Sequence, residues 1–489
     1  MLHKDPKKKR EQVQMLSVDE LVPEDHLLRD IERAIDFGFI YGLVQDKYSP
    51  DMGRPSVDPV VLIKIVFIQH LYGIRSMRQT IREIEVNAAY RWFLGFDFTE
   101  RIPHFTTFGK NYTRRFQGTD LFEQIFEKIL EECIAGGFVA PDTLFVDATH
   151  IKAHANPKKW QKVEVKKEAL FYEEALQREI QEDRRDHGKK PLKDRPGSAD
   201  DDPPAAGGGN TRTVKQSSTD PESGMFRKGE HKHVFAYMAQ TACDRHGWIL
   251  GYSVHPGNDH DSKTFPILYE KLRRFGPAGM VMDAGYKTPA IARMLLEDGI
   301  RPCFPYTRPV TGKGLFKKPE YVYDEQYDCY LCPHDQVLRY STTNRDGYRE
   351  YKSDSRICRS CPMIARCTHS KNHQKVVTRH VWQAYLDRCE EIRHEEGSRE
   401  LYNRRKETVE RVFGEAKENH GLRFTQSAGR ACMQMKVGLT FACLNLKKLA
   451  RMKRRCGLLS PLGSAFACCF FTLSRSWLPN RQSASSMAA

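Results

Sequence analysis

The hydrophobic pattern of the chain changes period near residue 140, which separates two kinds of folding unit. Residues 15–135 carry apolar side chains at helical spacing, as at Leu27, Leu28, Ile31 and Ile35. Beyond them, short apolar runs alternate with helical stretches, which is typical of an α/β sheet. The predicted strands are Leu144–Val146, Val234–Cys243, Trp248–Val254, Met280–Met282 and Ile300–Phe304, and the predicted helices are Asp261–Phe275 and Pro289–Glu297. The fold class is therefore predicted to be α/β, with a mixed sheet that follows a helical N-terminal domain.

Two interpretations of the N-terminal helices stay open on pattern alone. Short helices joined by polar turns, with Arg78, Arg82 and Arg91 among them, suit a DNA-binding domain of the helix-turn-helix type. A helical domain that serves only for packing would show the same periodicity.

Shifts in composition predict the remaining boundaries. Within the core, residues 157–232 are predicted to be a charged, flexible insertion with a helix at Val163–Asp186 and a Pro- and Gly-rich loop after it. The segment Leu401–Arg455 lacks proline and is predicted to form long helices. The predicted organisation is a basic tail (1–14), a helical DNA-binding domain (15–135), a core (140–304 and 396–455), a Cys-rich inserted subdomain (305–395) and a poorly ordered tail (456–489).

Positive charge is concentrated toward the C-terminal end of the chain. The chain has 78 Lys and Arg against 63 Asp and Glu, a formal net charge of +15, and residues 401–455 alone contain 14 basic and 4 acidic side chains. A basic block of this kind indicates a polyanionic partner, because each neutralised phosphate releases counterions. A solvated basic surface is the alternative. No apolar run reaches the ~18–20 residues of a membrane span, and no signal peptide is evident, so a soluble intracellular protein is expected.

Two aspartates each end a short apolar strand. Asp147 follows Leu144–Val146, and Asp283 follows Met280–Met282. An acid in this position lies at the rim of an α/β sheet, where such sheets place their ligands. Two carboxylates on neighbouring strands could share Mg²⁺, a hard cation that prefers oxygen ligands. Ordinary turn chemistry explains either aspartate taken singly.

A third acid lies on a basic helix near the C-terminus. Glu410 and Lys417 are seven residues apart, so they share one face of a helix. Lys406 lies on the same stripe, and Arg404, Arg405 and Arg411 lie nearby. A carboxylate for a metal beside cations for phosphates suits cleavage of a nucleic-acid strand. The alternative is that Glu410 pairs with Lys406 as a surface ion pair.

Five cysteines have a spacing suited to tetrahedral Zn²⁺. They form two C-x2-C pairs and one further position: Cys329, Cys332, Cys358, Cys361 and Cys367. Four thiolates would close a structural zinc site and leave no place for a substrate. Which four bind is open on spacing alone, and unmetallated thiols are the alternative.

Several segments together resemble the DDE insertion-sequence transposases of bacteria. The segments around the acids are FVDATHIKAHAN, VMDAGYKT and the helix from Tyr402 to Lys417; the helical segment at 53–85 and the segments STDPESGMFRKGEHKHVFAYMAQTACD and HPGNDHDSKTF extend the likeness to about residues 15–450. The resemblance is to the class whose last acid lies in a Tyr-x2-Arg-x3-Glu-x6-Lys helix. It implies a ribonuclease H-like core, an insertion before the final Glu, two Mg²⁺ (or Mn²⁺) ions and cut-and-paste DNA transposition.

The resemblance assigns roles residue by residue. Asp147, Asp283 and Glu410 would be the catalytic metal ligands, and Lys417 would contact a DNA phosphate. The further expected DNA contacts are Tyr402, Arg404, Arg405, Lys406 and Arg411. Tyr402 and Arg405 keep their mutual spacing, but Arg405 lies five residues before Glu410 where the pattern has four, and Lys406 occupies that offset.

The resemblance also bears on the zinc ligands and on the loops near the acids. For zinc it favours Cys332, Cys358, Cys361 and Cys367, with Cys329 as the competitor. His150, Asp259, His260 and Asp261 are expected to lie near the site without binding the metal directly.

The activity implied is that of a DNA transposase. It would bind the terminal inverted repeats of its element, cleave and join strands to target DNA, and work as a homodimer on two paired ends. It would act in the cytoplasm, associated with the nucleoid when bound to DNA, and without a membrane partner. The alternatives are a catalytically inactive zinc-ribbon DNA-binding protein, a stand-alone nuclease, and a transposase decayed at its atypical tail.

Overall fold

The computed structural model describes residues 13, 15–49, 56–166, 171–192, 211–228, 232–309 and 311–459. These residues form two compact units. One contains the described residues up to Val139 together with Gly414–Phe424 and the residues from Ala431 onward; the other contains Ala140–Phe413 and Thr425–Arg430. The predicted core boundary at 396–455 therefore differs from the observed grouping, because most of the last helix belongs with the N-terminal unit.

The first unit is helical, as predicted. Its longest buried element before residue 120 is α4, which begins at Pro59 after Asp58 caps its amides, and which is apolar on nearly every face. A helix of this composition has to be covered by others. The N-terminal helices are α1 (Val18–Leu21), α2 (Leu27–Ala34), α3 (Phe39–Val44), α4 (Pro59–Leu71), α5 (Met77–Val86), α6 (Ala88–Leu94), α7 (Thr106–Asn111) and α8 (Leu121–Ala135).

The first part of the second unit contains a mixed six-stranded sheet and a separate pair of strands, β2 and β3. The elements of this part are β1 (Thr143–Lys152), β2 (Trp160–Lys166), α9 (Glu173–Asp186), β3 (Thr211–Ser217), β4 (Gly224–Lys228), β5 (Lys232–Cys243), β6 (Ile249–Pro256), α10 (Asp261–Arg273), β7 (Gly279–Met282), α11 (Pro289–Glu297) and β8 (Arg301–Cys303). The strand order is β4-β5-β1-β7-β8, and β6 pairs with β5. β1 runs antiparallel to β5 and parallel to β7, and β7 is parallel to β8. Pro302 lies in an edge strand, as its missing N–H requires.

The charged insertion differs from its prediction. A helix was predicted over Val163–Asp186, but the structure has strand β2 up to Lys166 and starts α9 only at Glu173. The alternation of Val163 and Val165 with charged residues explains the strand, since period-two patterning favours an extended chain. The Pro- and Gly-rich loop lies outside the described residues, as do the basic tail except Val13 and the C-terminal tail beyond Leu459.

The segment with the cysteines forms a second, antiparallel sheet. Its elements are β9 (Val322–Asp324), β10 (Cys329–Leu331), β11 (Val337–Thr343), β12 (Tyr348–Lys352), α12 (Ser355–Arg359), α13 (Ile364–Cys367) and β13 (Val376–His380). The strand order is β13-β12-β11-β10-β9. Tyr330, Leu338 and Tyr351 are among the residues of its small apolar core.

Four helices complete the chain. They are α14 (Gln383–His394), α15 (Ser398–Asn403), α16 (Val409–Asn419) and α17 (Arg430–Arg455). α17 packs into the helical unit, where Thr440 lies 3.3 Å from Nδ1 of His70 and Lys453 donates to the carbonyl of Ala34 at 2.7 Å. Among the described residues, no helix is both long and apolar enough to cross a membrane.

Candidate active site

The parallel pairing of β1 with β7 brings two aspartates to one edge of the sheet. Val146 and Met282 are partners in the register, so Asp147 and Asp283 each come directly after a paired residue. Asp283 follows the end of β7 as predicted, whereas Asp147 does not end its strand, because β1 continues to Lys152 and pairs Asp147 with Thr241 of β5. β7 ends there, and Oδ1 of Asp283 accepts the amide of Ala284 at 2.6 Å to start a short 3-10 turn. The side chain of Asp147 is 18% exposed and that of Asp283 is 50% exposed. One carboxylate is thus held in the wall of the site while the other faces solvent.

A buried arginine lies between these carboxylates. Arg405 belongs to the 3-10 turn Arg404–Lys406 that joins α15 to α16, and it is 5% exposed. Its Nη2 is 2.8 Å from Oδ2 of Asp147, and its Nη1 is 3.6 Å from Oδ1 of Asp283. Nη1 also donates to the hydroxyl of Tyr402 at 3.0 Å. Tyr402, Arg405 and the two aspartates therefore form one connected cluster.

Burial dominates the electrostatics of Asp147. It raises the pKa of Asp147 to about 6, although Arg405 and the amide of Ala148 oppose the shift. The charges of Asp283 and Asp261 raise that pKa further. Burial and Asp283 likewise raise the pKa of Asp261, the first residue of α10. Negative charge from three aspartates is thus concentrated at this edge, and one buried arginine partly offsets it.

Asp261 is closer to the site than its neighbours in the same loop. A Cβ at Gly285 would lie 3.2 Å from Oδ2 of Asp261, so the turn after Asp283 packs closely against this carboxylate. His260 instead caps α10 through its Nδ1, which accepts the amide of Ser262. His150 stacks on Phe226 at 3.6 Å and reaches the carbonyl of Gly257. The sequence predicted that this loop is near the acids, but only the structure singles out Asp261.

Glu410 is in the first turn of α16 and is exposed. The acids that shift the pKa of Asp147 are Asp283 and Asp261. In the part of the chain that the structure describes, no three His, Cys, Asp or Glu side chains are close enough together to bind a metal ion as they stand. Lys417 lies two turns further along the same helix, and the basic side chains of Arg404, Lys406 and Arg411 are exposed.

The chemistry of the site nevertheless suits a hard cation. Its acids offer carboxylate oxygens, the ligands that Mg²⁺ takes from proteins. The buried hydroxyl of Tyr286 has no hydrogen-bond partner among the described atoms. Burial raises the pKa of Tyr286, and the charges of Asp261, Asp147 and Asp283 raise it too, so this polar group lies near the same acids. An unpaired buried hydroxyl beside clustered carboxylates is consistent with a site that binds a further group.

The cysteines gather at a cavity in the second sheet. Four of them line it, namely Cys332, Cys358, Cys361 and Cys367. The sulfur of Cys332 accepts the amides of His334 and Gln336, each at 3.4 Å. Burial raises the pKa of Cys367, and the charges of Cys358 and Cys332 raise it as well. Cys329 is buried in β10 opposite Arg339, and it is not among the described residues that line the cavity.

Comparison with known families gives two matches. A model described as a transposase domain (DUF772) matches residues 16–114, which lie in the helical unit. A model described as a transposase DDE domain matches residues 331–450, which include Tyr402, Arg405, Glu410 and Lys417 but neither Asp147 nor Asp283. No curated protein and no solved structure matches the chain. The two matches support an insertion-sequence transposase of the DDE type, as the resemblance found in the sequence implies.

Proposed function

We propose that this transposase binds the terminal inverted repeats of its element, cleaves DNA in a Mg²⁺-dependent reaction and transfers the freed strand to target DNA. The observation that carries the proposal is the register of β1 and β7, which brings Asp147 and Asp283 to one sheet edge beside buried Arg405. Glu410 is the proposed third carboxylate. The mixed sheet with these acids at its edge is proposed to be a ribonuclease H-like core.

In this proposal the acids hold two Mg²⁺ ions, or Mn²⁺. When bound, such ions activate water and stabilise the leaving oxygen of an in-line phosphoryl displacement. The protein's own residues set the geometry: Asp147 is fixed in β1, Asp283 is fixed by its bond to Ala284, and Arg405 offsets their charge. Tyr402 orients Arg405 through its hydroxyl.

The basic side chains around Glu410 supply the proposed DNA contacts. Arg404, Lys406 and Arg411 are exposed next to it, and Lys417 follows on the same helix. Guanidinium and ammonium groups at this density suit a phosphate backbone. The helical domain is proposed to recognise the ends, and a homodimer is proposed to hold two ends together, because strand transfer needs both.

The cavity lined by Cys332, Cys358, Cys361 and Cys367 is proposed to hold one structural Zn²⁺. Four thiols match in number the coordination that Zn²⁺ prefers, and the amides that point at the sulfur of Cys332 would stabilise a thiolate there. This set agrees with the ligands that the resemblance favours and leaves Cys329 out.

One observation favours a second candidate, a DNA-binding protein without chemistry. Glu410 is exposed and is not among the acids that shift the pKa of Asp147. An acid that never joined Asp147 and Asp283 would leave the metal site incomplete.

The test is cleavage of a DNA duplex that carries the element's own ends, with Mg²⁺, for the wild type and Glu410→Gln. Glu407→Gln is the matched control, because Glu407 is an exposed acid three residues away. We expect cleavage and strand-transfer products with the wild type and Glu407→Gln, and binding without cleavage with Glu410→Gln. Binding without cleavage by the wild type, with Mg²⁺ and with Mn²⁺, would favour the second candidate. Equal cleavage by both variants would remove Glu410 from the site.

A further inference from the structure

A two-stranded ribbon stands apart from both larger sheets of the second unit. β2 and β3 pair antiparallel over seven residues each, from Trp160 opposite Ser217 to Lys166 opposite Thr211. An isolated pair of strands is marginally stable by itself, so what its side chains contact matters for its persistence.

One face of the ribbon is basic. Trp160, Lys162 and Glu164 alternate along β2, and their partners in the register are Ser217, Lys215 and Thr213. Lys162 and Lys215 are therefore directly opposite, and both side chains are exposed. Like charges in this position repel and destabilise a strand pair.

The described residues offer no carboxylate partner to offset that repulsion. Neither Lys162 nor Lys215 forms an ion pair within the described part of the chain, and Glu164 is opposite Thr213. Two more exposed lysines, Lys158 and Lys159, precede β2 directly. The face thus carries Lys162 and Lys215 with a single described acid, and Lys158 and Lys159 add positive charge just before β2, which favours an external anion.

An aromatic ring continues the same face. The ammonium of Lys215 lies 4.3 Å from the ring centroid of Trp160, and the indole is 37% exposed. A ring next to ammonium groups is a surface on which a sugar or a base can pack while phosphates pair with the lysines.

We propose that this face of the ribbon, formed by Trp160, Lys162 and Lys215, binds the phosphate backbone of duplex DNA together with Lys158 and Lys159 just before β2. A two-stranded ribbon has dimensions that a DNA groove accepts, and DNA supplies closely spaced negative charges on a regular surface. The inference rests on the proposed function for its choice of DNA as the polyanion. It adds a contact surface far in sequence from the basic helix at Glu410.

The test measures how DNA affinity depends on salt for the full chain. Fluorescence anisotropy on a duplex with the element's ends would compare the wild type with the double variant Lys162→Gln/Lys215→Gln. The control is Lys313→Gln/Lys371→Gln, which removes two exposed lysines of the same unit outside the ribbon. Because each lost phosphate contact changes the slope of log K against log salt by about 0.9, we expect the ribbon variant to be less steep by about 2.

The outcomes separate this inference from the proposed function. The ribbon variant removes a repulsion together with the contact of Lys215 with Trp160, so its thermal midpoint should stay close to that of the wild type, and a weaker slope then reports lost contacts with DNA. If the wild type binds and cleaves but the ribbon variant has the same slope as the wild type, the ribbon inference alone is overturned. A lower slope in a protein that never cleaves supports the ribbon and counts against the proposed catalysis. Loss of self-association at an unchanged slope would assign the face to a protein partner and overturn the inference.

Discussion

The guanidinium of Arg405 is paired with Asp147 at 2.8 Å, although 258 residues of sequence separate them. The same guanidinium lies 3.6 Å from the carboxylate of Asp283. Arg405 therefore lies against both of the aspartates that are proposed to hold a divalent cation. A cation that binds there has to compete with an internal positive charge.

Replacing Arg405 by glutamine should strengthen cation binding. We expect the affinity for Mn²⁺, measured by calorimetry without DNA, to rise about tenfold. Removing a positive charge beside a partly buried cation site should make the binding free energy more favourable by about 1.4 kcal/mol, which corresponds to this factor. Arg404→Gln, on the exposed neighbouring residue, should leave the affinity unchanged. Asp147→Asn should abolish binding and so identify the site. Equal or weaker binding by Arg405→Gln would show that the arginine does not compete with the metal.

The cysteine cavity predicts a specific pattern of zinc loss. Elemental analysis of the purified wild type should find about one zinc per chain, and Cys358→Ser or Cys367→Ser should remove most of it, since structural sites need all four thiolates. Cys329→Ser should keep its zinc, because Cys329 is not among the described residues lining the cavity. Zinc that disappears with Cys329→Ser but persists with Cys367→Ser would favour the competing ligand set.

Buried His70 should make the fold sensitive to acid. Burial lowers the pKa of His70 from 6.5 to about 3, so the folded state keeps this imidazole neutral while the unfolded chain protonates it. The resulting stability is fully present above pH 6.5 and is lost as the pH falls from there toward 3. At pH 5 the loss amounts to about 2 kcal/mol.

The measurement is the thermal midpoint of the full chain at pH 7.5 and pH 5. His70→Asn, which keeps a polar atom near Thr440, should lose less stability on acidification than the wild type. His369→Asn, on an exposed histidine, should behave like the wild type. An identical pH response in His70→Asn would mean that His70 is not responsible.

Gly224 should not tolerate a side chain. A Cβ there would lie 1.9 Å from Oδ1 of Asn258 and 2.4 Å from its backbone nitrogen, which cannot move without shifting the turn after β6. We expect Gly224→Ala to lower the free energy of unfolding in urea by about 1–3 kcal/mol. Gly42→Ala is the control, since no atom lies within 4 Å of its Cβ position and a helical alanine is favoured. Equal effects of the two variants would contradict the close packing at Gly224.

The elements around Asp283 could be predicted because their local patterns agree with their surroundings, whereas β1 runs six residues beyond the predicted Leu144–Val146, to Lys152. The helix Pro289–Glu297 has its predicted bounds, since Thr288 caps it and Pro289 suits its first turn. β7 ends at Met282 as predicted and begins one residue earlier, at Gly279, because an apolar run that is followed by aspartate leaves few choices.

Features that depend on distant contacts were not readable in the same way. The choice between Arg405 and Lys406 could not be made from spacing, because it depends on how the short turn at Arg404–Lys406 faces β1. The prediction of a helix from Val163 missed the alternation of valines with charged residues that makes the chain extended up to Lys166. The grouping of α17 with the N-terminal helices depends on contacts such as that of Thr440 with His70, which no local pattern encodes.

That grouping has a consequence for how the chain is made. On the ribosome the helices up to Ala135 emerge first, but the residues of α17 that complete their core emerge some three hundred residues later. Domains otherwise tend to fold as their own residues appear during synthesis. The helical unit must therefore wait, with part of its apolar surface uncovered, until translation has passed residue 455, and a prematurely terminated chain would be recognisable to the cell's chaperones and proteases by that open core.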